Sequence, residues 1–287
     1  MEWNNIKKMK YLNLGCGAHY SSSAEWTNLD FVSSGPGVIA HNLLKGVPFK
    51  NETFDFVYHS HVLEHFSKED GEKLIEECFR VLKPGGTLRI AIPDLEQIAK
   101  NYIKFLEAGV QKPDDQQNRA NYEWMLIEMY DQTVRSQSGG NMAKYIYQDQ
   151  ICNEDFLYER IGEEGRALRY GYLTNKAKPI EFGNQNQGII KRAKASIKYR
   201  FRKMLVGLLD IDEKALKIGK FRLGGEIHQW MYDRYSLANL LNKKGGEKIE
   251  VRTAFTSNVT NWAAYGIDGR EGNVRKPDSL FIEAIKR

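Results

Sequence analysis

A short glycine turn and a later acidic residue form the first group of residues whose types and spacing suit chemistry. Gly15-Cys16-Gly17 directly follows an apolar stretch, and Asp30 closes the next one. Glycine lets the backbone approach a ligand closely, and a carboxylate can accept hydrogen bonds from both hydroxyls of a ribose. Together these features predict a nucleotide-type ligand, whereas a glycine turn alone is more often only a turn.

The second group contains side chains suited to proton transfer. His61, Glu64 and His65 follow a later apolar stretch, Asp94 follows another, and His228 lies far along the chain. Imidazole and carboxylate groups act as general bases when they lie within hydrogen-bond reach of the proton. We take His61 as the preferred base and His65, Asp94 and His228 as further catalytic candidates.

Alternating strands and helices must position these residues. The predicted strands of the first 95 residues are 10–15, 26–31, 37–43, 54–60 and 86–94. Apolar residues at helical spacing predict an amphipathic helix over 69–83, ended by Pro84-Gly85-Gly86. Such alternation predicts a parallel sheet, whose strands all end at the edge where the chemistry-bearing residues stand.

The sheet signals stop near residue 95 and return only near the end of the chain. A helix over 94–109 begins a polar stretch that we predict to be a mostly helical insertion. A helix with Ser236 as its N-cap then precedes predicted strands at 247–255 and 278–286. The predicted division is a split core of 1–95 and 226–287, with 96–225 as the insertion.

Four motifs in fixed order identify a family. LNLGCG, NLDF, FDFVYHSHVLEHF and RVLKPGGTLRIAIPD resemble the class I S-adenosylmethionine-dependent methyltransferases over about residues 10–95 and 230–287. An NAD-binding protein would have a third glycine where Tyr20 stands. The tail GGEIHQWMYDRYSLANLL, continued by VRKPDSLFIEA, resembles the bacterial branch associated with surface-polysaccharide biosynthesis.

The resemblance implies an α/β fold: a Rossmann-like, mostly parallel seven-stranded sheet whose last strand is antiparallel, with the insertion after the fifth strand. It also implies S-adenosylmethionine as cofactor. The implied cofactor residues are Asn13, Gly15, Cys16, Gly17, Asp30, Asn42, Leu43, Ser60 and His61. The glycines would lie near the methionine part, Asp30 on the ribose, Asn42-Leu43 near the adenine, and Ser60-His61 at the sulfonium end.

Two features depart from the family pattern. Asn13 stands where the family often has an acidic residue, which weakens one anchor for the cofactor's amino group. The connection from Gly17 to Trp26 is too short for the long first helix that is typical of the family.

The spacing His61-x-x-Glu64-His65 also fits the HxxEH pattern of certain zinc peptidases. Because it falls within the methyltransferase motif after the fourth strand, we interpret the match as accidental and assign no metal ligand. The predicted function is methyl transfer from S-adenosylmethionine to an acceptor hydroxyl, on a sugar of a surface glycan or its precursor. A metal-assisted or small-molecule or RNA methyltransferase, and a non-catalytic binding module that keeps the fold, remain open alternatives.

Composition and charge narrow the class of protein. With 287 residues, 41% hydrophobic and 28% charged, the chain is neither disordered, fibrous nor an integral membrane protein. Three cysteines without a CxxC pair favour a reducing compartment. No signal-peptide pattern opens the sequence, so we expect a cytoplasmic protein.

The net charge of +5 is concentrated in one segment. Residues 189–223 contain eleven basic and three acidic residues, and 189–209 form a basic amphipathic pattern. Such a segment either packs on the core with solvated cations or contacts an anionic membrane surface peripherally. Nucleic acid is the minor alternative, since few aromatic residues are interleaved with the cations.

Overall fold

A single seven-stranded sheet forms the centre of the protein in a computed structural model that describes residues 9–174 and 212–287. In chain order the strands are β1 (Tyr11–Leu14), β2 (Trp26–Asp30), β3 (Val38–Ala40), β4 (Phe54–Ser60), β5 (Leu82–Pro93), β6 (Gly246–Arg252), β7 (Gly269–Arg270), β8 (Asn273–Val274) and β9 (Ser279–Lys286). The sheet order is β3-β2-β1-β4-β5-β9-β6, and β7 and β8 form a separate small ribbon. Within this sheet of the described residues β9 alone runs opposite to the other six strands, which confirms the predicted fold class.

Helices cover one sheet face and form the insertion after β5. They are α1 (Lys68–Val81), α2 (Leu95–Gln111), α3 (Gln116–Val134), α4 (Gly140–Ile146), α5 (Glu154–Leu173), α6 (Glu213–Arg222) and α7 (Arg234–Lys243). Helix α5 is kinked at Gly162, whose φ of 55° a residue with a side chain rarely adopts. The helical character of the described part of the insertion agrees with the prediction.

The first sheet face is packed by α1 and α7. The apolar residues of α1 recur at helical spacing, so Leu74, Ile75 and Cys78 all join the main core with Leu237 and Leu241 of α7. The Ser67 hydroxyl accepts a hydrogen bond from the Asp70 N–H and caps the start of α1. This packing fixes β4 and β5, which carry the polar residues of the site.

The opposite face is covered by the long loop between β6 and β9. No helix from the first part of the chain covers it: residues 15–53, all of them described, contain one 3₁₀ turn at Leu43–Lys45 and no α-helix, as the short Gly17–Trp26 connection predicts. The chain between β6 and β9 supplies Trp262 and Ile267 instead, and these pack with Trp26 and Phe56 of the sheet. Aromatic side chains thus replace the helices on this face.

Some predicted element boundaries were wrong. Helix α1 ends at Val81 and β5 starts at Leu82, so Pro84-Gly85-Gly86 lies in an irregular start of β5 rather than ending the helix. Strand β3 stops at Ala40, because Asn42 already caps the 3₁₀ turn.

Two differences concern the end of the chain. The N-cap of α7 is Asp233 rather than Ser236, which is the third helical residue. Strand β6 ends at Arg252 instead of residue 255, since the chain turns at Thr253, whose N–H donates to the Thr256 hydroxyl.

Two predictions concern membranes. No helix within residues 9–174 and 212–287 combines the length and the apolar character needed to cross a bilayer. The basic segment 189–209 lies outside the described residues, so its contact with an anionic surface stays a prediction.

Candidate active site

The carboxyl ends of β1 to β4 open into one cavity of about 690 Å³. Ligands of open α/β sheets bind at this edge, and the volume suits a small-molecule site. Six of the residues predicted from the sequence line it: Gly15, Asp30, Asn42, Leu43, His61 and His65. Segments far apart in the chain therefore form one site.

The glycine turn needs glycine at Gly15 for two reasons. Its φ is 63°, and an added Cβ would lie 2.3 Å from Cγ2 of Val62. Gly17 also has a positive φ of 54°, but no heavy atom lies within 4 Å of the place of its missing Cβ. The turn thus brings the backbone close to residues 61–67, the strand-four loop that joins β4 to α1, without blocking the cavity.

The Asp30 carboxylate links this turn to β2. Its Oδ2 accepts a hydrogen bond from the Gly17 N–H at 2.5 Å, and its Oδ1 accepts one from the Phe31 N–H at 2.6 Å. An ionised carboxylate has about four lone-pair sites, so each oxygen keeps room for a ribose hydroxyl.

Apolar side chains stand at the cavity mouth next to Asn42. The Asn42 Oδ1 accepts a hydrogen bond from the Leu44 N–H at 3.0 Å, which fixes the loop after β3. Phe31 and Leu44, both lining residues, are 69% and 64% exposed. These surfaces suit an aromatic ring system such as a purine.

His61 has a strained backbone and two polar partners. Its φ is 53°, unusual for a residue with a side chain. Nε2 lies 2.8 Å from the Ser279 Oγ, and Nδ1 lies 3.2 Å from Oε1 of Glu64. Burial, followed by the charges of Lys276 and Arg275, lowers the pKa of His61 well below its usual range, so the ring is neutral near pH 7.

Glu64, His65 and His228 meet beside His61. One ligand-type atom from each of the three lies within 4.8 Å of the others. The His65 Nδ1 donates to the Ile227 carbonyl at 3.2 Å, so its Nε2 is left as an acceptor. The rings of His65 and His228 meet edge to face with centroids 4.9 Å apart. A single polar cluster thus adjoins the cavity.

Other predicted residues lie outside the cavity lining. Asn13 is buried and its amide donates to the His19 carbonyl at 3.4 Å, and the buried Cys16 lies in the turn itself. The Ser60 hydroxyl accepts a hydrogen bond from Arg275 at 3.2 Å. Asp94 caps α2 by accepting hydrogen bonds from the Glu96 and Gln97 N–H groups. Gly17 and His228 do not line the cavity either.

Sequence reasoning missed one wall of the cavity. Arg222, Leu223, Gly224, Gly225, Ile227 and Gln229 form it, between α6 and α7. Arg222 donates to the Arg135 and Thr133 carbonyls at the end of α3 and so anchors the wall to the insertion. The Gly224-Gly225 pair in the sequence could have indicated this wall, but no pattern in the sequence indicated Arg222 or Ser279.

Known proteins supply an independent comparison. Residues 12–90 match a family described as a methyltransferase domain. This span holds β1 to β4 and most of β5, and with them the glycine turn, Asp30 and His61. The match supports a methyltransferase domain in this part of the chain, and the implied cofactor is S-adenosylmethionine. No protein among those with curated functions matches the chain significantly.

Solved structures similar to this chain include S-adenosylmethionine-dependent methyltransferases. One, from Thermotoga maritima and described as a possible histamine N-methyltransferase, shares 12% identity, covers 97% of this chain and 82% of its own, and has a TM-score of 0.38. One from Archaeoglobus fulgidus shares 12% identity over 98% of this chain and 87% of its own, with a TM-score of 0.38.

A complex containing the Trm112 methyltransferase activator of Haloferax volcanii shares 20% identity over 32% of this chain, with a TM-score of 0.27. The match covers 48% of the matched chain of that complex, about half of its length. At these identities and scores the likenesses carry no inference about activity or partners.

Proposed function

We propose that this protein transfers a methyl group from S-adenosylmethionine to a hydroxyl oxygen, on a sugar of a surface glycan or its precursor. The observation that carries the proposal is the cavity wall itself: Gly15, Asp30 and the Asn42-Leu43 pair surround the same space as His61. The hydroxyl and the sugar follow from the resemblance of the motifs to the bacterial branch named above.

Each part of the cofactor is assigned to its own part of the cavity wall. Asp30 receives the ribose hydroxyls, because its two oxygens stand at the end of β2. Phe31 and Leu44 flank the adenine, and Gly15 admits the methionine part close to the backbone. The sulfonium then lies toward His61, beyond the end of β4.

Methyl transfer is an in-line displacement at an activated carbon, so orientation and exclusion of water are the protein's main tasks. We assign proton acceptance to Nε2 of His61, which already has a hydroxyl partner in Ser279 at 2.8 Å. An acceptor hydroxyl replaces Ser279 there and gives its proton to Nε2 as its oxygen attacks the methyl carbon. Glu64, 3.2 Å from Nδ1, stabilises the imidazolium that forms.

The test is methyl transfer from labelled S-adenosylmethionine to a panel of sugar nucleotides, oligosaccharides, a short RNA and a small amine. We expect label in an alkali-stable ether of a carbohydrate acceptor. His61→Ala should keep cofactor binding and lose turnover, whereas the exposed control His19→Gln should keep both. Transfer only to RNA or the amine contradicts the acceptor class, and unchanged turnover in His61→Ala contradicts the assigned base.

A further inference from the structure

The Glu64 carboxylate is buried without a hydrogen-bond partner. Glu64 is 1% exposed, and neither of its oxygens accepts a hydrogen bond from any described residue. His61 Nδ1 is 3.2 Å away but lacks the angular geometry of a hydrogen bond, and His228 Nε2 is 4.0 Å away. A buried carboxylate that accepts no hydrogen bond is costly unless it is paired with a cation.

The hydrogen bond made by His65 leaves its other ring nitrogen free to bind a metal. The His65 Nδ1–H donates to the Ile227 carbonyl at 3.2 Å. Metal-bound histidines typically donate their second ring nitrogen to such an acceptor, which orients the first toward the ion.

Backbone contacts hold the three side chains in place. The His228 N–H donates to the Gln132 carbonyl at 2.9 Å, and the Gln229 N–H donates to the Glu64 carbonyl at 2.7 Å. The end of α3, the strand-four loop and the segment before α7 are thus joined around the cluster. The three proposed ligands come from two of these segments, Glu64 and His65 from the loop after β4 and His228 from the segment before α7, so an ion needs only side-chain adjustments to bind.

We propose that Glu64, His65 and His228 bind one divalent transition-metal ion of the zinc type. Two imidazoles and one carboxylate form a donor set that zinc favours and that magnesium, which prefers oxygen ligands, does not. His65 also lines the cavity, so a remaining coordination position faces the proposed acceptor site.

The bound ion would activate the acceptor, a role that rests on the proposed function. A hydroxyl oxygen bound to the metal would have a lowered pKa and would therefore give its proton to His61 more readily. The oxygen lone pair then forms the new C–O bond as the C–S bond breaks. The methyl ether and S-adenosylhomocysteine are the products, and the proton stays on His61.

Zinc alone, titrated by equilibrium dialysis against the full-length protein, tests the site. We expect one zinc per chain in the wild type and in the control His19→Gln. Glu64→Gln and His228→Asn should bind about 100-fold more weakly. Glu64→Gln preserves side-chain volume, and thermal unfolding without metal should show it folded and close to the wild type in stability, since the replaced carboxyl group makes no hydrogen bond.

Two results would overturn the metal site: no stoichiometric zinc on the wild type, or equal binding by wild type and Glu64→Gln, which indicates surface histidines. Calorimetric titration with S-adenosylmethionine on the same preparations separates this inference from the proposed function. Cofactor binding without zinc binding removes only the metal site, and zinc binding without cofactor binding removes only the proposed function.

Discussion

Gly15 and Gly17 look equivalent in the sequence, yet their surroundings differ. Both have a positive φ, but an added Cβ at Gly15 would collide with Val62 and one at Gly17 would meet no neighbour. Gly15→Ala should therefore combine backbone strain with a steric clash, while Gly17→Ala has strain alone. The expected losses in the free energy of unfolding are about 3 kcal/mol and about 1 kcal/mol respectively.

Urea denaturation of both variants measures this difference. Adding Val62→Ala to Gly15→Ala should recover part of the loss, because the colliding methyl group is removed. Equal losses at the two glycines would show that the turn does not approach the strand-four loop as closely as the structure has it.

The three cysteines should differ sharply in reactivity. Cys16 and Cys78 are buried, and Cys152 is exposed. Burial, with a smaller contribution from Asp30, raises the pKa of Cys16 to about 11, so at pH 8 its reactive thiolate is scarce. A chromogenic disulfide reagent should thus titrate one thiol quickly in the native protein and three after denaturation. Two fast thiols, with Cys152→Ser losing only one, would contradict the burial of the turn.

At this scale the sequence identified residue types better than their roles. The sequence indicated that Gly15, Asp30 and His61 line the site, because each stands at the end of an apolar strand. Asp94 fits the same rule but caps α2, since a polar residue after a strand serves a helix N-terminus equally well. Ser279 could not be found, because only the fold brings it to His61.

Helix α7 offers a test of an element boundary. The Asp233 Oδ1 accepts hydrogen bonds from the Tyr235 and Ser236 N–H groups, and the Ser236 hydroxyl accepts one from the Asp233 N–H. Asp233→Ala removes two partners and a charge near the positive end of the helix, whereas Ser236→Ala removes one partner. We expect losses in the free energy of unfolding of about 1.5 and about 0.5 kcal/mol.

Chemical denaturation monitored by circular dichroism checks this order of losses. A larger effect of Ser236→Ala would restore the N-cap expected from the sequence. The sequence misplaced the cap because Asp233 and Ser236 are both good cap residues, and hydrogen-bond geometry alone distinguishes them.

At the scale of the whole molecule, a buried polar network connects the sheet with the β6–β9 loop. Arg89 is fully buried and pairs with Asp268 at 2.8 Å and with Glu283 at 3.1 Å. The Tyr58 hydroxyl also donates to Asp268, at 2.5 Å. This network joins the β6–β9 loop to the sheet face that aromatic side chains cover in place of helices.

Asp268→Ala should therefore destabilise the protein by about 4 kcal/mol, because it leaves a buried guanidinium partly unpaired and a buried hydroxyl without an acceptor. The exposed residue Asp114 provides a matched control, and Asp114→Ala should change the free energy of unfolding little. A loss below about 1 kcal/mol for Asp268→Ala would mean that the loop does not depend on this contact.

The mostly parallel seven-stranded sheet with its antiparallel last strand was predictable at this scale, because the four motifs in their order resemble a family with that fold. The loop that replaces the helices of one face was not, since an aromatic cluster such as Trp262 with Trp26 has no periodic signature. The domain division at residues 95 and 226 and the role of the basic segment 189–209 stay predictions.

The proposed function requires the cavity at the sheet edge to bind S-adenosylmethionine through Asp30. Calorimetric titration with S-adenosylhomocysteine, the stable product, tests it most directly. We expect one site per chain, unchanged affinity in the exposed control Asp114→Asn, and affinity about tenfold to 100-fold weaker in Asp30→Asn, which loses charge-assisted hydrogen bonds to the ribose. Absence of binding to folded wild-type protein, or equal affinity in Asp30→Asn, would contradict it.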